Sequence, residues 1–116
     1  MPLLTLTTNR EIPAAERHAH LQDLSRQAAE WLGKPEAYVM VDYRHHPDML
    51  FGGSAEPLAY IEFKSIGLPA GRTAELSAAL AAWLEAHVGI AAARVYVEFS
   101  DAERHLWGWN GATFAR

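Results

Sequence analysis

The sequence predicts a single α/β domain over residues 1–116: a duplicated β-α-β unit folded as a four-stranded mixed sheet, with two helices on one face. Three observations carry this expectation. Gly33–Tyr43 (GKPEAYVMVDY) matches Gly89–Phe99 (GIAAARVYVEF) in residue type, aligning Val39 with Val95, Val41 with Val97, Asp42 with Glu98 and Tyr43 with Phe99. Each of these segments follows a helix-period stretch that stops at a glycine, and Pro2-Leu3 and Pro57-Leu58 open the two halves at nearly the same spacing. With 116 residues and 50% hydrophobic content, one core suffices, burying roughly two thirds of the unfolded surface.

Each element has its own local reason. Leu3–Thr7 alternates apolar residues with threonine, the period of a strand, and Asn9–Pro13 breaks it. In Ala14–Leu32, the residues Arg17, Leu21, Leu24, Ala28 and Trp31 recur at helical spacing and form one stripe, the stem of Arg17 lying along its end. Gly33 ends this helix as a left-handed C′ residue, and Pro35 prevents its continuation. Tyr38–Tyr43, rich in β-branched and aromatic residues, reads as the second strand. His45–Ala55 is turn-rich, with Met49-Leu50-Phe51 expected to pack inward. Leu58–Ile66 is the third strand and Gly67–Arg72 a loop. Leu76, Leu80, Trp83 and His87 mark a second amphipathic helix that runs to about Val88 and stops at Gly89. Arg94–Ser100 is the fourth strand. The tail His105–Phe114 carries Leu106, Trp107, Trp109 and Phe114, too apolar to be left in solvent and too short for a core of its own.

Right-handed crossovers would put both helices on one face of the sheet and leave the other bare. Both alternating sets of the second strand, Tyr38/Met40 and Val39/Val41/Tyr43, are largely apolar, and the fourth strand adds Val95/Val97/Phe99. The bare face is therefore expected to pack against another subunit of a symmetric oligomer.

Composition narrows the function. Ten Lys plus Arg against 14 Asp plus Glu give a net charge of −4, so the electropositive surface of a nucleic-acid-binding protein is missing. With no cysteine, disulfides, thiolate metal sites and cysteine nucleophiles are ruled out. Among the six histidines, His45-His46 with Asp48 and His18 with His20 invite a metal reading. Neighbours one or two apart do not share a helix face, and no HExxH spacing occurs, so neither metal nor cofactor is expected. The start has no basic segment and no apolar run of signal-peptide length, and apolar stretches of about 5 to 8 residues fall far short of the roughly 20 that span a bilayer. The expectation is a soluble, cytoplasmic protein without a membrane partner.

Several strings occur in order along the whole chain: Met1-Pro2 leading into the first strand, Gly33-Lys34-Pro35 with Tyr38, Phe51-Gly52-Gly53-Ser54 with Glu56-Pro57, and Ser65-Ile66-Gly67. Arg94-Val95-Tyr96, Gly108-Trp109-Asn110 and Thr113-Phe114-Ala115 follow in the second half. In these the sequence resembles the macrophage migration inhibitory factor and D-dopachrome tautomerase branch of the tautomerase superfamily. The resemblance implies a homotrimer with active sites at subunit interfaces. It further implies keto-enol tautomerase activity on phenylpyruvate-like 2-keto acids, often also on dopachrome derivatives, and, in animal members, signalling through cell-surface receptors.

By the same resemblance, Pro2 is the catalytic base once removal of Met1 makes its nitrogen a secondary amine. A free α-amino group titrates at about 8, so an apolar pocket and a nearby cation are needed to keep it neutral. Lys34 fits a cation at a helix C-terminus equally well; the resemblance gives it the substrate carboxylate, assisted by the backbone N–H at Ile66 beside Ser65. Tyr96 is either an interface aromatic or a pocket residue supplied by a neighbouring subunit. Tyr38, Trp107, Trp109 and Phe114 are either core or walls for an aromatic substrate. The chain departs from the family at Glu98, where the animal cytokines carry an asparagine facing the substrate, and at Lys64, where a histidine is usual; the two charges either offset each other across the pocket or are both solvated strand residues. Leu58–Ile61 stands in place of the animal cytokine's CxxC, and Trp107 replaces a smaller aliphatic and narrows the pocket. The competing reading is a cytokine-like binding protein with a weak or vestigial tautomerase pocket.

Overall fold

Strand β1 (Leu3–Thr8) is hydrogen-bonded on both sides, parallel to β2 (Met40–His45) and antiparallel to β3 (Ala59–Ile66), which in turn pairs parallel with β4 (Val95–Ala102). The resulting order, β2-β1-β3-β4, is the mixed sheet expected from two β-α-β units placed side by side. The computed structural model describes residues 1–115; Arg116, the last residue of the predicted domain, lies outside the described residues.

Helices α1 (Ala14–Leu32) and α2 (Thr73–Val88) supply the crossovers. Both bury their apolar stripes in one cluster with the same alternating set of strand residues: Leu24, Ala28 and Leu32 of α1, and Leu76, Leu80 and Leu84 of α2, meet Leu4, Leu6, Ile61 and Phe63. The two helices therefore cover one face. Trp83 adds a polar latch between them, donating its indole N–H to Asp23 Oδ2 at 2.8 Å. The α1 stripe lies slightly off the one expected, since Leu32 is buried while Arg17, Leu21 and Trp31 stay at its margin. Gly33 does end α1, at φ 62°, with its N–H on Glu30 O (3.3 Å) and that of Lys34 on Ala29 O (3.0 Å). This double bond pattern is a Schellman cap, and it fixes the backbone of Lys34.

Four expectations need correction. Tyr38 is not in β2: Pro35 starts a 3-10 turn over Glu36–Tyr38, and the strand begins at Met40. Val41, Tyr43, Val95, Val97 and Phe99 do not face outward but pack against the helix-covered core. The open face instead carries Thr5, Thr7, Asp42, Arg44, Glu62, Lys64, Glu98 and Ser100, with Leu3, Met40, Tyr60 and Tyr96 among them, so an apolar bare face is not what argues for an oligomer. Alternation exposes both sets equally to inspection, and only the side taken by the helices decides which is buried. Leu50 does not pack inward (68% exposed), and Leu106 in the tail is 72% exposed.

Phe63 has no exposed surface and sits between both helices' contributions to the core. Phe63→Ala should destabilise the fold by about 3–5 kcal/mol, because little can collapse into the space left behind. Equilibrium denaturation in urea checks this.

Candidate active site

The sheet ends where the chain begins. Pro2 immediately precedes β1, and its carbonyl accepts a hydrogen bond from Met40 N (3.0 Å), which ties it to the first residue of β2. Its ring is buried. The amine of Met1 donates to Tyr38 O at 3.3 Å, so the turn over Glu36–Tyr38 closes one side of the terminus.

The tail closes the other side. Strands β5 (Gly108–Trp109) and β6 (Ala112–Thr113) form a hairpin whose two-residue loop, Asn110-Gly111, has φ 51° and 74°. Both central residues at positive φ make the turn that Asn-Gly favours and that matches the twist of paired strands. The hairpin lays Trp109 and Phe114 on Tyr38: the Tyr38 ring meets theirs edge-on at 5.3 and 6.0 Å, while Trp109 and Phe114 stack at 5.9 Å and 13°. Together with Pro2, Met40 and Trp107 they line a cavity of about 280 Å³.

A cation stands beside this aromatic cup. Lys34, its backbone fixed by the α1 cap, donates from Nζ to Ile66 O at 3.0 Å, and the buried Ser65 hydroxyl donates to the same oxygen at 3.1 Å. The carbonyl of Ile66 thus holds the lysine. Gly67 turns the chain at φ 66°, and a Cβ there would come within 3.7 Å of Lys34 Nζ. Leu68 N donates to Asp101 Oδ1 (3.1 Å) and holds the next residue of this loop. Burial first, and the positive charge of Lys34 second, hold the N-terminal amine below its ordinary value. The arrangement is that of an amine of lowered basicity, that of Met1, beside an apolar cup with the Lys34 cation nearby.

Other residues singled out in the sequence lie elsewhere. Tyr96 is 66% exposed on the open face at the far end of the sheet from Pro2, with its ring 4.8 Å from Phe51. Glu98, two positions along the same face, accepts a hydrogen bond from the hydroxyl of Tyr60. That bond first, then partial desolvation and the nearby Glu62 carboxylate, push the Tyr60 phenol up to about 12. Lys64 is exposed between Leu3 and Ser100, nearer the Pro2 end, and forms no ion pair with Glu98 among the described residues. The strand register brings together the Tyr60–Glu98 pair, which sequence reasoning did not find. Sequence reasoning also missed the Asn110-Gly111 hairpin, whose dipeptide was a signal that could have found it.

Among the described residues, no group of three or more His, Asp or Glu side chains is placed to hold a metal ion, and no helix is long and apolar enough to cross a membrane.

Comparison with known proteins agrees with this geometry over the whole chain. The family model described as Macrophage migration inhibitory factor (MIF) matches residues 1–115. The Macrophage migration inhibitory factor homolog of Brugia malayi is 37% identical, covering 98% of this chain and 99% of the relative. Macrophage migration inhibitory factor of Xenopus tropicalis is 34% identical, over 99% and 100%. The crystal structure of the macrophage migration inhibitory factor homologue from Prochlorococcus marinus superposes with a TM-score of 0.90 at 42% identity, covering 97% of this chain and 99% of that one. The chain belongs to the macrophage migration inhibitory factor family, within the tautomerase superfamily.

Proposed function

We propose that this chain is a keto-enol tautomerase of phenylpyruvate-like 2-keto acids, in which the Pro2 nitrogen, freed by removal of Met1, is the general acid and base. The observation that carries the reading is the setting of the chain start: burial first and the Lys34 charge second lower the proton affinity of the Met1 amine beside an aromatic cavity, and a Pro2 nitrogen, one residue deeper, would meet the same two influences. An ordinary α-amine, titrating at about 8, is only about one-tenth neutral at pH 7; lowering that value raises the fraction able to take a proton.

In the proposed reaction, neutral Pro2 removes a proton from C3 of the keto acid, the enolate oxygen at C2 takes a proton from solvent to give the enol, and protonated Pro2 returns its proton to solvent; in the reverse direction the enol oxygen loses its proton and protonated Pro2 delivers one to C3. No electrons are transferred to or from the substrate, so the step needs no cofactor. Lys34 pairs with the substrate carboxylate at the Ile66–Ser65 turn and orients C3 towards the amine, while Tyr38, Trp107, Trp109 and Phe114 hold the aryl group. Charge developing on the enolate oxygen requires a donor at that position.

Within one chain Tyr96 lies at the end of the open face away from Pro2 and Glu98 at its middle, so both would reach the Pro2 cavity only from another subunit. The assembly proposed is the homotrimer, with Tyr96 and Glu98 of each subunit completing a neighbour's site. In this arrangement Lys64 comes from the Pro2 side, and its charge offsets that of Glu98.

Untagged protein whose intact mass shows Met1 removed should interconvert phenylpyruvate tautomers far faster than buffer, and Pro2→Gly should lower kcat/KM by about 10²-fold or more. A correctly processed, assembled protein no faster than buffer contradicts this reading and favours the cytokine-like binding function. The shared site makes a second prediction. Subunit exchange between inactive Pro2→Gly and Tyr96→Ala proteins should generate activity above the sum of the two, since mixed trimers contain some sites with both residues intact. No gain, with exchange confirmed by mass spectrometry, refutes a site shared between subunits.

A further inference from the structure

The open sheet face presents an acidic pair at its middle, Glu62 and Glu98, directly opposite one another on β3 and β4. Like charges in register repel, and neither side chain forms an ion pair among the described residues. Glu98 is instead held by Tyr60, which sits one step along the same face of β3, directly opposite Tyr96. A phenol hydroxyl donates one proton, and an ionised carboxylate only accepts, so the contact has one sense: Tyr60 donates and Glu98 receives. The hydroxyl remains a donor across the physiological range, since the phenol is pushed up to about 12, first by this hydrogen bond.

We propose that Tyr60 is the positioning residue for Glu98, tethering its carboxylate along the sheet so that the distal end of the shared pocket presents a fixed acceptor instead of a mobile anion. This inference rests on the tautomerase reading above and adds to it a specificity. A tethered carboxylate beside Tyr96 accepts a hydrogen bond from a substrate tail that donates one and tolerates an uncharged ring. A tail with a second negative charge meets repulsion. The substrate class is narrowed to monoanionic 2-keto acids with a neutral or hydrogen-bond-donating tail. Loss of the tether leaves the carboxylate free to swing towards the substrate and weakens binding of an anion, whereas loss of the charge removes the reason for the tether.

The test is a double-mutant cycle on the full-length, Met1-processed protein with phenylpyruvate as substrate. Tyr60→Phe removes only the hydroxyl. It should raise KM by about threefold or more with a smaller change in kcat, and by less than about 1.5-fold when Glu98→Gln is already present, the non-additivity expected of two groups sharing one hydrogen bond. A purely structural role for Tyr60 predicts the same effect in both backgrounds. Equal effects, or no effect of Tyr60→Phe on KM in the wild-type background, overturn the proposal while leaving the tautomerase reading intact. Wild-type protein without activity overturns both.

Discussion

The burial of Pro2 at the start of β1 is the constraint on which the remaining structure converges. β1 is an inner strand, paired on both sides, so the residue before it is fixed by the register of the sheet as a whole. The Met40 bond to the Pro2 carbonyl extends the β1–β2 pairing by one residue, and the turn over Glu36–Tyr38 folds Tyr38 against the terminus. The same short segment, from the α1 cap through Pro35 to β2, brings Lys34 near the terminal amine and Tyr38 into the cavity wall. A chain terminus is usually the least ordered part of a domain. Here the sheet, the α1 cap and the C-terminal hairpin combine to enclose it.

The two faces of the sheet have different chemistry, and each suits its role. The covered face is fully apolar at its centre and anchors both helices, so the geometry of the N-terminus is supported by a core that can move little. The open face alternates acids, bases, threonines and tyrosines. Its polar character suits a surface that remains hydrated or meets a partner through specific contacts, rather than one buried for its apolar area. Tyr96 and Glu98 lie on this face, away from the cavity beside Pro2.

Much of this organisation was legible in the sequence, for physical reasons that differ from residue to residue. Gly33 and Gly89 mark helix ends because left-handed backbone disfavours a side chain, and both adopt it. The duplication gave the pairing of β-α-β units, and Pro35, although read as a helix stop, also began the turn that removed Tyr38 from β2. Strand alternation identified two sets of side chains but not which set the helices would cover, and Val95, Val97 and Phe99 were placed on the wrong face for that reason. Contacts between distant segments left no local trace: Lys34 reaches Ile66 across 32 residues and Tyr60 reaches Glu98 across 38. Only the register of a folded sheet supplies them. The Asn110-Gly111 turn, by contrast, was missed although its dipeptide carries a local signal.

The central claim is that burial and the Lys34 charge together lower the proton affinity of the nitrogen at the chain start. Its most direct test is an NMR titration of protein labelled with 15N-proline and processed to Pro2, alongside the Lys34→Ala variant. The account predicts that the Pro2 nitrogen, like the Met1 amine in this structure, titrates below the ordinary value of about 8, and that Lys34→Ala raises it. A Pro2 nitrogen titrating at or above the ordinary value, or one indifferent to Lys34, would contradict it.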